Sequence, residues 1–105
     1  MNTKTDDKAQ IFKRILSEQA QLLFFGVTNI GLFGSFVRGD QTPDSDIDIL
    51  IEFTPEKHTF DNFMDVAFLL EKILERKVDL VTPEALSPHI GPHILKEVER
   101  VLIAE

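Results

Sequence analysis

The segment 31–53 constrains the fold most, because it has the pattern of a strand, a tight turn into a short helix, and a second strand in which acidic and apolar residues alternate. Side chains of a strand point alternately to its two faces. Asp46 and Asp48 therefore share one face of the second strand, and three isoleucines fill the other. The two aspartates lie ~6.6 Å apart along the strand, for a rise of about 3.3 Å per residue. Both carboxylates can converge on one hard cation such as Mg²⁺, which prefers oxygen ligands.

The turn at Gly34-Ser35 supplies the second half of the predicted site. A glycine lets the backbone approach a ligand closely, and free backbone N–H groups at the start of the following helix favour an anion. Ser35 adds a hydroxyl group, and Arg38 adds a positive charge one turn further along. The segment therefore predicts a phosphate cradle upstream of a metal-binding carboxylate pair, which together form a site for a metal-bound nucleoside triphosphate.

These motifs resemble those of a known family. Gly34-Ser35, followed after ten residues by Asp46-Ile47-Asp48, resembles the signature of the polymerase-beta-like nucleotidyltransferase superfamily. The longer strings 32–39 and 45–51 look like its smallest branch, the minimal nucleotidyltransferases, many of which are antitoxins paired with a helical HEPN-type toxin. The resemblance covers roughly residues 22–81, and the composite motif is specific where a lone Gly-Ser or Asp-x-Asp would be weak.

The resemblance implies a small α/β (α+β) fold, in which helices cover a small mixed sheet and the site lies at one sheet edge near the Gly-Ser turn. A chain of 105 residues is long enough for one small domain. We therefore expect residues 1–105 to form a single minimal nucleotidyltransferase domain.

A third acid stands on the strand predicted over Lys77–Val81, where Asp79 lies between two apolar residues. A lone acid in such a strand is costly to bury without a partner, and either a metal or a salt bridge to Lys or Arg could be that partner. Asp79 follows Asp48 by 31 residues, enough for a strand–helix–strand unit that brings the two together. The resemblance implies that Asp79 completes a metal-binding and catalytic trio with Asp46 and Asp48.

The resemblance also implies the reaction, which is nucleotidyl transfer. A hydroxyl group attacks the α-phosphorus of ATP and pyrophosphate leaves, with two Mg²⁺ ions held by the three aspartates. Gly34 and Ser35 would hold the β- and γ-phosphates, and Arg38 would offset developing charge. In the minimal branch the partner toxin presents a tyrosine hydroxyl that receives AMP. This chain contains no tyrosine, so transfer to a HEPN-type toxin in trans fits, within a hetero-oligomer.

Two alternatives remain open at the level of sequence. The protein could be an antitoxin that neutralises its partner by binding alone, with an inert site. It could also be a small-molecule nucleotidyltransferase that acts as a dimer or with a separate acceptor-binding subunit. Substitution of the aspartates separates the first alternative from the enzyme, and the identity of the labelled product separates the second.

Composition and charge indicate which classes of partner, and which location, suit this protein. A net charge of −7 argues against direct binding of nucleic acid, which requires a basic surface, and suits a basic protein partner. No apolar run approaches the roughly 20 residues of a membrane span, and the N-terminus lacks a signal-peptide core. We therefore predict a cytoplasmic protein with no membrane partner.

Hydrophobic periodicity and turn residues predict the remaining elements. Residues 1–5 are expected to fray, Thr59 to cap a helix, and Glu52 to be a surface acid or salt-bridge partner. His89 and His93 are four residues apart, but Gly91 and Pro92 between them disfavour a zinc site. The predicted elements are a helix from Asp6 to about Phe24, a strand over Val27–Phe33, a short helix from Ser35 to about Gly39, a strand over Asp46–Phe53, a helix from Phe60 to about Arg76, and a last helix from His93 to about Ile103.

Overall fold

The computed structural model describes residues 7–103, apart from the side chain of Leu102. The expected fraying of residues 1–5 and the predicted helix start at Asp6 lie outside the described residues. Within them, two 3₁₀ turns, Pro55–Lys57 and Pro83–Ala85, connect larger elements. The helices are α1 (Lys8–Ser17), α2 (Gln19–Phe24), α3 (Ser35–Arg38), α4 (Phe60–Leu74) and α5 (Gly91–Glu97), and the strands are β1 (Val27–Phe33), β2 (Ile47–Phe53), β3 (Val78–Val81) and β4 (Glu99–Leu102).

The four strands form one mixed sheet in the order β3-β2-β1-β4. β1 pairs antiparallel with both β2 and β4, and β2 pairs parallel with β3. The parallel pair is connected through α4, as parallel neighbours require a crossover. The predicted α/β class with a mixed sheet covered by helices is therefore confirmed.

One face of the sheet packs against helices to form the core. Ile30 and Leu32 of β1 and Ile49 of β2 are fully buried there, because alternate strand residues share a face. Their helical partners are Ile11 and Ile15 of α1, Leu22 of α2, and Val66, Leu70 and Leu74 of α4. The opposite face carries the aspartates that the sequence marks as functional.

Capping residues set two of the helix starts. The Asp7 carboxylate accepts a hydrogen bond from the Gln10 backbone N–H, and α1 begins at Lys8, directly after Asp7. The Thr59 hydroxyl accepts from the Asn62 backbone N–H at the start of α4, which confirms the predicted cap. α4 ends two residues before the predicted end at Arg76, because Glu75 adopts a left-handed conformation with φ 54°.

The single helix predicted from Asp6 to Phe24 is wrong, because the helix breaks at Glu18. That residue has φ −111° and ψ 25°, outside the helical region, so α1 and α2 follow different axes. The break keeps Leu22 in the core while Leu16 and Leu23 stay exposed.

The helix predicted from His93 to Ile103 is also wrong. The helical part runs from Gly91 to Glu97, the chain becomes extended at Val98, and Glu99–Leu102 forms β4. Without β4, one edge of β1 would have unpaired backbone N–H and C=O groups, and such exposed edges are unfavourable. Pairing between the two strands, in a register that places Gly31 opposite Arg100, outweighs the helical spacing of the apolar residues.

The other boundaries lie within one residue of the predictions. β1 has the predicted bounds, α3 ends at Arg38, and β2 and β3 begin at Ile47 and Val78. Among the described residues no helix has the length and apolar character needed to cross a membrane.

Candidate active site

The Gly34 turn brings the backbone against the acidic strand. β1 ends at Phe33, which lies opposite Asp48 in the sheet, and Gly34 follows with φ 80° and ψ −152°. A Cβ atom at this position would collide with the Asp48 carboxylate. Only glycine fits here without strain, and its absent side chain is what allows the turn to pass directly over Asp48.

Strand register brings the acids together. In the parallel pair, Ile47 lies opposite Val78 and Asp48 lies opposite Asp79. Adjacent strands are about 4.8 Å apart, so the two aspartates occupy neighbouring positions on the face away from the helical core. Asp46 lies one residue before β2 and is exposed.

The acids influence one another electrostatically. Partial burial, together with the negative charges of Asp79 and Asp46, raises the pKa of Asp48 from 3.8 to about 6. Glu97 adds to this effect, whereas Arg38 opposes it. Like charges held close together disfavour ionisation, so this corner of the sheet has a surplus of negative charge that a cation would relieve.

The donor chemistry of the trio fits a hard divalent cation, because all of its side-chain donors are carboxylate oxygens. Over residues 7–103, however, no three His, Cys, Asp or Glu side chains already converge as a metal-binding group. His89 and His93 likewise form no such group with a third residue in the described part of the chain.

The loop before β2 is held in place by Arg76. Its Nη1 donates to the backbone carbonyls of Pro43, at 2.8 Å, and Ser45, at 3.3 Å. Its guanidinium also lies 5.3 Å from the centre of the Phe36 ring in α3. These contacts fix the path by which the chain enters β2 at Asp46.

Glu97, at the end of α5, is a site residue that the sequence did not indicate. The Gly34 backbone N–H donates to Glu97 Oε2 at 2.9 Å, and Arg38 Nη1 donates to Glu97 Oε1 at 3.0 Å. Arg38 Nε also donates to Asp40 Oδ2 at 3.3 Å. The bond from Gly34 is the main cause of a lowered pKa of Glu97, and the bond to Glu97 is the main cause of a raised pKa of Arg38.

These groups border an open cleft of about 370 Å³. Ser35, half-buried, begins α3 directly after Gly34. No local signal marked the α5 residues of the cleft, since their position depends on how α5 packs beside β1. The residues that line the cleft are Phe33, Gly34, Arg38, Asp48, Ile90, His93, Ile94 and Glu97.

Glu52 lies on the same strand but outside this cleft. Its Oε2 accepts from Asn29 Nδ2 and from Arg100 Nη1, each at 2.7 Å. The expected salt-bridge role of Glu52 is confirmed, and it leaves the acids nearer Gly34 as the candidates for chemistry.

Comparison with known proteins gives this arrangement a family. A profile described as "Nucleotidyltransferase domain" matches residues 9–101. A protein provisionally named as a protein adenylyltransferase in Methanocaldococcus jannaschii is 39% identical over 94 residues, which cover 87% of this chain and 91% of that protein. The protein adenylyltransferase MntA of Thermococcus cleftensis is 43% identical over 74 residues, covering 70% of this chain and 74% of that protein.

Two solved structures resemble the fold. A provisionally assigned minimal nucleotidyltransferase superposes with a TM-score of 0.76 and 26% identity, covering 90% of this chain and 95% of the other. A toxin–antitoxin structure with AMP-PNP gives a TM-score of 0.63 and 25% identity, covering 81% of this chain and 70% of the other. The family match covers residues 9–101, which is most of the chain. The chain therefore belongs to the nucleotidyltransferase domain family, and its class of activity is nucleotidyl transfer.

Proposed function

We propose that this protein transfers AMP from ATP to a tyrosine hydroxyl of a HEPN-type toxin and so acts as its antitoxin. The observation that carries the proposal is the meeting of two features at one corner of the sheet. Gly34 passes against Asp48, and strand register places Asp79 beside Asp48. A phosphate cradle and a carboxylate cluster next to one open cleft support transfer from a nucleoside triphosphate.

In this proposal Asp46, Asp48 and Asp79 hold Mg²⁺, with two ions as in the resemblance. Bound Mg²⁺ would supply charge stabilisation for the attacking and leaving oxygens. The surplus negative charge around Asp48 supports this role, since the same carboxylates repel one another when no cation is present. In the proposed reaction one of these carboxylates takes up the proton that the acceptor hydroxyl loses.

The phosphates would lie on the other side of the cleft. The Gly34 N–H, the Ser35 hydroxyl and the Arg38 guanidinium hold the β- and γ-phosphates. The acceptor oxygen forms a bond to the α-phosphorus. The bond between that phosphorus and the oxygen that bridges it to the β-phosphorus breaks, and pyrophosphate leaves with its negative charge. Arg38 offsets that charge as it develops.

The nature of the acceptor rests on three observations. The chain contains no tyrosine, so a tyrosine acceptor must belong to another molecule. Its relative MntA is named a protein adenylyltransferase, and a structural neighbour is a toxin–antitoxin pair with an ATP analogue. The net charge of −7 suits a basic partner and disfavours nucleic acid. We place the reaction in the cytoplasm, carried out by residues 1–105 as one domain.

The experiment is label transfer in a lysate of the source cells, with ATP labelled at the α-phosphate and Mg²⁺. Asp46→Asn/Asp48→Asn is compared with Asp65→Asn/Glu84→Gln, which removes two exposed acids outside the site. We expect one labelled protein with the wild type and with the control pair. With the Asp46→Asn/Asp48→Asn variant, which is called the site pair below, the amount of label should fall about 1,000-fold, because several kcal/mol of charge stabilisation is lost.

The three candidate functions give different results. Label on a tyrosine of one discrete protein, absent with the site pair, supports the proposal. The same protein captured by both variants with no label indicates an antitoxin that acts by binding alone. Label that appears on a small molecule indicates the third function and contradicts the protein acceptor.

A further inference from the structure

The phosphate cradle already holds an anion that belongs to the chain itself. Gly34 N–H and Arg38 Nη1 are two of the three donors proposed above for phosphate, and each donates to a different oxygen of the Glu97 carboxylate. Glu97 is partly buried, with 23% of its side chain exposed. An ionised carboxylate bound by one backbone N–H and one guanidinium uses the same charge-assisted hydrogen bonds as a phosphate oxygen.

The surroundings of Glu97 are otherwise unfavourable to its charge. It is the last residue of α5, the end of a helix that disfavours negative charge. It also lies close enough to Asp48 to raise that residue's pKa. The bonds to Gly34 and Arg38 are therefore what hold the carboxylate in the cleft.

We propose that Glu97 is an internal competitor for nucleotide phosphates, which a triphosphate must displace in order to bind. The inference rests on the proposed function, because it takes Gly34 and Arg38 to be the donors for the β- and γ-phosphates. A triphosphate reaches those donors and can replace the carboxylate, whereas AMP has no β- or γ-phosphate to do so. Glu97 is thus a specificity-determining residue that lowers affinity for triphosphates and leaves affinity for monophosphates unchanged.

Packing around α5 indicates how the displacement occurs. The Val98 N–H donates to the Ile94 carbonyl, at 2.9 Å, and the Val98 side chain fills the space beside Gly31. The next residues pair with β1 as β4. The backbone on the C-terminal side of Glu97 is therefore anchored, and the carboxylate leaves by rotation of its own side chain while α5 stays folded.

Calorimetric titration of the full chain with AMP-PNP and with AMP, in the presence of Mg²⁺, tests the proposal. Glu97→Gln removes the charge, and Glu97→Asp keeps the charge on a side chain one methylene shorter. Glu99→Gln is the matched control, because Glu99 lies two residues away and pairs with Lys8. We expect both Glu97 variants to bind AMP-PNP more tightly, by about tenfold for Glu97→Gln, which corresponds to the loss of one charge-assisted contact.

The AMP affinities and the comparison between the two Glu97 variants distinguish displacement from a simple change of local charge. AMP affinity should change by less than about twofold in every variant, since AMP does not reach the donors in question. If Glu97→Asp binds like the wild type while Glu97→Gln binds more tightly, the effect is one of local charge alone and displacement is refuted. Unchanged or weaker AMP-PNP binding by both folded Glu97 variants also refutes it. If neither the wild type nor any variant binds AMP-PNP, the proposed function itself fails.

Discussion

The two faces of β2 differ in chemistry at the start of the strand, whereas Leu50, further along the face of Asp48, is buried. Ile47, Ile49 and Ile51 are fully buried against the helices, whereas Asp48 faces the cleft and lies beside Asp79. The first face gains stability by removing apolar surface from water. The second holds like charges close together, which costs stability. β2 thus supplies both core residues and one acid of the candidate site, and the favourable contacts of its buried face offset the cost of holding that acid near other negative charges.

The largest effect is expected on the buried face. Ile49→Ala should lower the free energy of unfolding by about 3 kcal/mol, because it removes buried methyl and methylene groups and leaves a cavity. The control is Ile90→Ala, at a side chain that is 58% exposed, and its cost should stay below about 1 kcal/mol. Urea denaturation measures both, and equal losses in the two variants would contradict the assignment of the core face.

Gly34→Ala should lower stability by disturbing the acidic face of β2 through the backbone rather than through its side chains. We expect a loss of about 2 kcal/mol, from a positive φ of 80° and from collision with Asp48. Gly39→Ala is the control, since Gly39 also has a positive φ, of 82°, but lies in the left-handed helical region with no atom within 4 Å of the added carbon.

The difference between the two glycine variants measures the collision with Asp48 together with the extra backbone strain at Gly34, whose ψ of −152° is far from the 13° of Gly39. Gly39→Ala should cost about 1 kcal/mol from backbone strain alone. Only Gly34→Ala should also weaken AMP-PNP binding, as measured by calorimetry. Equal costs and equal binding in the two variants would show that the approach to Asp48 is unimportant.

The smallest effect concerns pH. Because the pKa of Asp48 is raised from 3.8 to about 6 on folding, the folded state favours the protonated carboxyl group. Its contribution to stability is complete below about pH 4 and is lost as the pH rises through about 6. Relative to wild type, Asp48→Asn should therefore gain about 1 kcal/mol between pH 4 and pH 7, allowing for solvent screening.

Urea denaturation without Mg²⁺ at a series of pH values measures this gain. Asp65→Asn, at an exposed position on α4, controls for the loss of one negative charge. A wild type whose stability rises between pH 4 and pH 7 relative to Asp48→Asn would contradict the cost that the reactive face is inferred to carry.

Local patterns predicted the elements whose contacts are close in sequence. β1 has its predicted bounds, because an apolar run lies between Gly26 and Gly34, and both of these glycines adopt positive φ. The cap at Thr59 was predictable for the same reason, since it involves a bond to a residue only three positions away. The alternation of Asp46, Asp48 and the isoleucines also fixed which residues share a face.

Local patterns gave wrong predictions where the spacing of apolar residues was compatible with more than one secondary structure. The apolar residues of 93–103 match a helix, yet Glu99–Leu102 forms a strand. The deciding factor is the unpaired edge of β1, which lies about 70 residues earlier and has no signature in the local sequence. The break at Glu18 also has no signature in the apolar spacing, since Ile11 and Leu22 would lie on one face of an unbroken helix.

Three features could be predicted from the sequence alone, namely the faces on which the alternating acids and isoleucines lie, the Gly34 turn and the family. These depend on the period of a strand and on the conformational freedom of glycine, which are properties of the local chain. The 31-residue spacing also predicted that Asp79 lies near Asp48, and the tertiary structure adds the register that sets the two directly opposite each other. The contact between Glu97 and Gly34, 63 residues apart in the chain, is visible in the tertiary structure alone. Such contacts depend on strand register and on where α5 packs, and packing over that distance is decided by the whole core.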